Sequence, residues 1–135
     1  MNNTMAQKDL ARRFRDFIAC VNAKDWTSLG QHLHESVLYN GRLLSMAEMQ
    51  AKFIERLEHV PDLKYEIDFM VVEPPMVAVR LCFNCTPCGK IYGLPVNGRR
   101  VLFSANGFYN YDDGRITRGW STVDVHAIAA QLQTH

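Results

Sequence analysis

Acid-base chemistry inside a protein needs a titratable group tuned by its surroundings and donors that hold an oxygen as it becomes negative. A few places in this sequence offer such groups. Asp124 stands directly before an apolar run over residues 125–132. It reads either as a pocket acid/base or as the N-cap of a closing helix, and Ser121-x-x-Asp124 also fits a capping box. Tyr39 is a candidate proton donor and Asn40 a candidate carbonyl clamp, although Asn40-Gly41 is also simple turn chemistry. His32 and His34 are candidates by residue type, since histidine is the side chain best suited to proton transfer at physiological pH. His32 falls near a helix end, where exposure is the common fate, so His34 is the better pocket candidate. Arg80 interrupts an apolar strand. Period-two alternation puts Arg80, Cys82, Asn84 and Thr86 on one side and Val79, Leu81, Phe83 and Cys85 on the other. The polar set can line a cavity and bind a carbonyl or carboxylate; alternatively Arg80 pairs with Glu66 or Asp68 on a neighbouring strand.

Cys85-Thr86-Pro87-Cys88 spells C-x-x-C. A redox pair of that kind sits at a helix N-terminus, where the thiol pKa falls. Here it follows a strand, and Gly89-Lys90-Ile91 does not open a helix. A structural zinc site needs two more ligands. His32 and His34 are the nearest pattern and lie far upstream in another element. The expectation is no metal, with Cys82 a small core residue and Cys85 and Cys88 flanking a strand end.

Elements to position these groups are legible in the hydrophobic spacing. Leu10, Phe14, Phe17, Ile18 and Val21 repeat as one face of a first helix. Asp25 can cap a short second helix over residues 26 to about 33, and residues 36–38 are a short extended piece. Ser45 and Glu48 match a capping box for a third helix carrying Met49, Phe53, Ile54 and Leu57, ended by Pro61-Asp62. From residue 63 the period changes. Strands are expected over 64–72, 77–83, 101–111 and 115–123. Asn97-Gly98 and Asp113-Gly114 read as hairpin turns, and a last helix covers 125 to about 132. Helices followed by a mostly antiparallel meander make an α+β domain in which a strongly curved sheet wraps the helices and leaves a pocket. Phe53, Tyr109 and Trp120 are core aromatics that could double as pocket wall for an aromatic substrate.

The chain has 135 residues, 47% hydrophobic, with 15 basic and 14 acidic side chains and a net charge of +1. That fits one domain over residues 1–135, with an ordered core of about 6–132. No basic cluster points to nucleic acid. No stretch approaches the roughly 20 apolar residues of a membrane span, and the N-terminus lacks an apolar signal core. Four cysteines are too few for a secreted disulfide scaffold. The expectation is a soluble cytoplasmic protein with reduced thiols.

An ordered series of short stretches resembles the SnoaL-like polyketide cyclase group, including its ester cyclase-like branch. It includes Asn40-Gly41, Val60-Pro61-Asp62-Leu63, Arg80-Leu81-Cys82-Phe83-Asn84-Cys85-Thr86-Pro87, Gly89, Gly93 and Val96-Asn97-Gly98-Arg99. It continues through Phe108-Tyr109, Asp113-Gly114-Arg115-Ile116, Trp120-Ser121, Asp124, Ala127-Ile128 and Gln131-Leu132. The resemblance runs from about Ala6 to Leu132. It implies the cone-shaped α+β barrel of the nuclear-transport-factor-two-like superfamily, with no metal or organic cofactor. It also implies a small-molecule substrate and a homodimer packed through the open sheet face. The chemistry implied removes a proton beside a carbonyl and returns one elsewhere. In the aldol-type cyclases a late-strand carboxylate does this, helped by a histidine. Those positions fall at Ser121 and near Gly107 here, so the chain departs from that pair. Ser121 can still donate a hydrogen bond, and Gly107 can make room for a bulkier substrate. In the resembling pattern, Tyr39 and Asn40 line the cavity mouth.

The reading favours an enzyme: a cofactor-independent cyclase or isomerase acting by proton transfer on a polyketide- or terpenoid-like secondary-metabolite intermediate. The candidate catalytic residues are Asp124, Tyr39, His34 and Ser121. The candidate substrate-binding residues are Asn40, Arg80, Asn84, Thr86, Phe53, Tyr109 and Trp120. The alternatives are a non-catalytic ligand-binding or dimerisation module on the same scaffold, or a hydrolase or dehydratase using the same pocket.

Overall fold

The structure is a computed structural model that describes residues 4–133. Helix α1 (Thr4–Asn22) turns its apolar stripe inward: Leu10, Phe14, Phe17, Ile18 and Val21 are all buried. A 3-10 turn (Trp26–Gln31) leads to β1 (Leu33–Tyr39) and β2 (Arg42–Ser45), and α2 (Met46–His59) follows. The meander comprises β3 (Glu66–Glu73), β4 (Met76–Cys85), β5 (Val101–Asp112) and β6 (Arg115–Val123), closed by α3 (Val125–Leu132). These make one six-stranded sheet in the order β2-β1-β6-β5-β4-β3. All neighbours are antiparallel except β1 and β6, which run parallel. The end strands β2 and β3 do not pair with each other, so the sheet stays open. Irregularities in β1–β6, β3–β4 and β5–β6 add local twist and bend.

The sheet's inner face is set by alternation. Val77, Val79, Leu81, Phe83 and Cys85 of β4 are buried, as are Val101, Phe103 and Ala105 of β5. This corrects one sequence expectation. The period-two partition of β4 holds, but the set of Arg80, Cys82, Asn84 and Thr86 lies away from the cavity, on the outside, so Cys85 and not Cys82 is the core cysteine of this strand. Burying the apolar set removes far more apolar surface from water. Arg80 pairs instead with Asp68 of β3 at 3.2 Å, Asn84 receives Arg100, and the Thr86 amide donates to the Asp62 carboxylate.

Three local expectations also change. Residues 26–33 do not form an α-helix throughout, because Leu33 is already in β1 and paired with Ile116. β2 was not foreseen: Asn40 and Gly41, with φ of 49° and 82°, turn β1 straight back into a hairpin. Asn97-Gly98 is not the turn between β4 and β5. That connection is an irregular excursion whose own tight turn is Tyr92-Gly93, flanked by the bridged pair Ile91 and Leu94. The Cys88 and Gly89 amides both donate to the His59 carbonyl at the end of α2, at 2.8 and 3.1 Å. Asn97 instead donates to the Leu132 carbonyl of α3 at 2.7 Å. The capping box of α2 is present, with Ser45 and Glu48 each satisfying the other's amide.

Candidate active site

α1 and α2 pack over the concave face of the sheet and leave a cavity of about 100 Å³ between them. Most of its wall is apolar, including Phe17, Val37, Phe53, Leu81, Phe83 and Phe103. Its polar lining consists of Tyr39, Tyr65, Tyr92, Tyr109, Ser121, Lys52 and Arg56. Among the described residues, no aspartate, glutamate or histidine lines it.

One polar group forms where β1, β5 and β6 lie side by side. Parallel pairing sets Tyr39 opposite Gly119, and antiparallel pairing sets Tyr109 opposite the same glycine. The Tyr39 and Ser121 hydroxyls are hydrogen-bonded to each other. The Tyr109 hydroxyl interacts with that of Tyr39. Burial, helped by Tyr39, holds the Tyr109 pKa well above the ordinary tyrosine range, so its phenol stays protonated. Glycines make the space for these rings. A Cβ on Gly119 would lie 3.0 Å from Tyr109 Cδ1 and 3.1 Å from Tyr39 Cδ1. A Cβ on Gly107 would come within 2.8 Å of Tyr109 Cε2. The room expected at Gly107 for a bulky substrate is therefore taken by the Tyr109 ring, which Phe14 backs at a centroid distance of 5.2 Å.

A second polar group sits at the α2 side. Arg56 Nη1 donates to the Tyr65 hydroxyl at 2.8 Å. Burial raises the Tyr65 pKa while Arg56 opposes it. Tyr65 is fixed through its backbone, whose amide and carbonyl are both clasped by the Asn22 side chain at 2.8 Å. Arg56 and Tyr65 were not among the residues singled out from sequence. The signal was present: Met49, Phe53, Arg56 and Val60 recur at helical spacing, which places Arg56 on the buried face.

The remaining candidates separate clearly by position. Tyr39, Ser121, Phe53 and Tyr109 line the cavity. Asn40 is exposed and acts on the backbone, its Oδ1 accepting from the Ser121 amide at 2.9 Å. It therefore secures Ser121 and does not clamp a substrate carbonyl. His34 lies outside the cavity, its Nε2 donating to the Asp112 carbonyl at 2.8 Å. Trp120 lies on the outer sheet face under the Arg118 guanidinium, 4.5 Å from the ring centroid. Cys85 is buried, which pushes its thiol up to about 11, whereas Cys88 is exposed. Burial raises that pKa and so disfavours the reactive thiolate.

Asp124 is exposed and outside the cavity; its Oδ1 accepts from the Ala127 amide at 3.0 Å and caps α3. Ser121 takes no part in a capping box, because its hydroxyl is engaged with Tyr39. Asp124→Ala is accordingly expected to cost about 1 kcal/mol of stability, and Asp124→Asn a few tenths at most. Urea denaturation of the two variants measures the difference. Equal stabilities would remove the cap assignment.

A curved open sheet closed over by helices around a phenol-lined hollow defines an α+β cone. The family description "SnoaL-like polyketide cyclase" matches residues 8–132, and the chain belongs to that family. A SnoaL-like polyketide cyclase from Agrobacterium tumefaciens is 32% identical, with a TM-score of 0.88 over 91% of this chain and 97% of that one. TsrD from Streptomyces laurentii is 25% identical, with a TM-score of 0.82 over 94% and 96%. IdmH from Streptomyces antibioticus shares the fold at 18% identity, with a TM-score of 0.81 over 92% and 98%. No curated protein matches the sequence. No helix among the described residues is long and apolar enough to cross a membrane.

Proposed function

We propose that this protein is a cofactor-independent cyclase or isomerase acting on an enolisable, polyketide-like intermediate. The observation that carries this reading is the joined hydroxyl group of Tyr39, Ser121 and Tyr109 in an otherwise largely apolar cavity. Such donors are worth most where water is excluded and charge develops on oxygen. A substrate carbonyl oxygen would take a proton from Tyr39 as the adjacent carbon gives one up to a water molecule admitted with the substrate, leaving an enol. As the enol carbon attacks a second carbonyl of the same molecule, the enol O–H gives its proton to that water and the new alkoxide takes one from it. Ser121 would return a proton to Tyr39 from solvent, while Tyr109 would remain a protonated donor throughout. The polar lining favours an enzyme over a purely passive binder, since greasy contacts alone would suffice to hold a ligand.

The test is hydrogen exchange at the acidic carbon of a β-keto ester, such as ethyl acetoacetate, in deuterated buffer followed by proton NMR. The protein should accelerate exchange over buffer, with saturation. No acceleration would defeat the enzymatic reading.

We also propose a cytoplasmic homodimer formed through the outer sheet face. Val71, Ala78, Phe108 and Trp120 form one cross-strand row there. Val71 and Phe108 are 61% and 52% exposed, beside Phe69 at 57%. So much apolar surface on one face is a feature of interfaces. Sedimentation velocity should show a dimer that Phe108→Asp converts to monomer. A wild-type monomer at micromolar concentration would contradict it.

A further inference from the structure

Arg56 is a charged side chain largely buried in the cavity wall with no carboxylate to balance it. Among the described residues its hydrogen-bond partner is the Tyr65 hydroxyl, and no acidic side chain pairs with it. A guanidinium presents five N–H donors in a planar fork, and Tyr65 takes up one of them. Desolvation works against its charge, but the guanidinium is basic enough to stay charged, and the Tyr65 hydroxyl accepts one of its N–H bonds. Lys52, one turn earlier on the same helix face, adds a second cation to the lining. Among the described residues, the cavity lining therefore carries positive charge and phenolic donors but no negative group.

Keeping an unbalanced cation away from water is costly. A fork held in place by a fixed tyrosine suits a planar anion, which can accept two parallel N–H bonds. We propose that the cavity binds an organic carboxylate, its charge on Arg56 with the Tyr65 hydroxyl alongside, and its carbon skeleton against Phe53 and Phe83. This deepens the preceding functional reading by giving the substrate a fixed negative charge in its ground state. It places the carboxylate at the α2 side of the cavity and the reacting carbonyl at the Tyr39–Ser121 side.

The experiment compares benzoate and phenylacetate with their neutral isosteres benzamide and phenylacetamide, by calorimetry and thermal shift, on the intact protein. The wild type should bind each carboxylate at least about tenfold more tightly than its amide. Arg56→Met keeps the length of the side chain and removes the charge. It should erase the preference while leaving thermal stability equal or higher, since a buried ion replaced by an apolar group often stabilises. Arg56→Lys should retain part of the preference and guards against a folding artefact in the Met variant. Equal binding of acid and amide, no binding of either at millimolar concentration, or a preference that survives Arg56→Met would each overturn the proposal. The two readings fail separately. Tyr39-dependent exchange without carboxylate preference leaves the enzyme and removes the anion site. Arg56-dependent carboxylate binding without exchange does the reverse.

Discussion

Tyr39→Phe is expected to lower catalysed α-carbon exchange by about 10²-fold or more, within the range a positioned acid-base group contributes. The substitution removes one oxygen and keeps the ring that packs beside Gly119. The Ser121 hydroxyl loses its Tyr39 partner, and Tyr109 loses its hydroxyl neighbour. A partner left without its hydrogen bond costs about 1–3 kcal/mol when buried. Both residues border the cavity, where a bound substrate or water can replace the missing contact, so the lower end applies. The variant should thus remain folded by circular dichroism and lose rate. Ser121→Ala provides the companion measurement: Tyr39 keeps its phenol but loses its route to a returning proton, so a smaller loss is expected. Undiminished exchange in folded Tyr39→Phe would remove Tyr39 from the chemistry.

Phe14→Ala is expected to be the most destabilising of these substitutions, by about 3–5 kcal/mol. Phe14 has no exposed surface, and its ring packs against Phe17 at 5.9 Å and Tyr109 at 5.2 Å between centroids. Truncation removes the transfer energy of the ring and leaves a void that the rigid strand behind Tyr109 cannot close. The site should suffer too, since the Tyr109 ring loses the neighbour that backs it. Phe14→Leu should cost much less because most of the volume returns. Urea unfolding measures both: the midpoint should fall without a change in slope. A loss below about 1 kcal/mol for the alanine variant would mean that the surrounding side chains collapse into the space, contrary to a tightly packed core.

Much of the scaffold was legible because its signals are local. The helical stripe of α1, the Ser45–Glu48 capping box, the period-two runs of β4 to β6 and the Asp113-Gly114 turn each depend on residues a few positions apart. β2 was missed because four residues, with Arg42 and Leu43 exposed and Leu44 buried, carry too short a pattern to declare a strand. Asn97-Gly98 has the composition of a hairpin turn, yet its side chain serves the end of α3, a contact no local rule contains.

The site divides along the same line. The amino-acid sequence by itself determined the class of fold and the family, and it nominated Tyr39 and Ser121 alongside Asp124 and His34. Only the tertiary structure decided which of them meet. Tyr39 and Ser121 are 82 positions apart and touch because β1 lies parallel to β6. Asp124, three residues beyond Ser121, is spent on a helix end. Alternation told which side chains of β4 share a face, but a period of two is symmetric between faces. Packing against α1 and α2 broke that symmetry, sending Arg80 outward, and the turn of α2 brought Arg56 in.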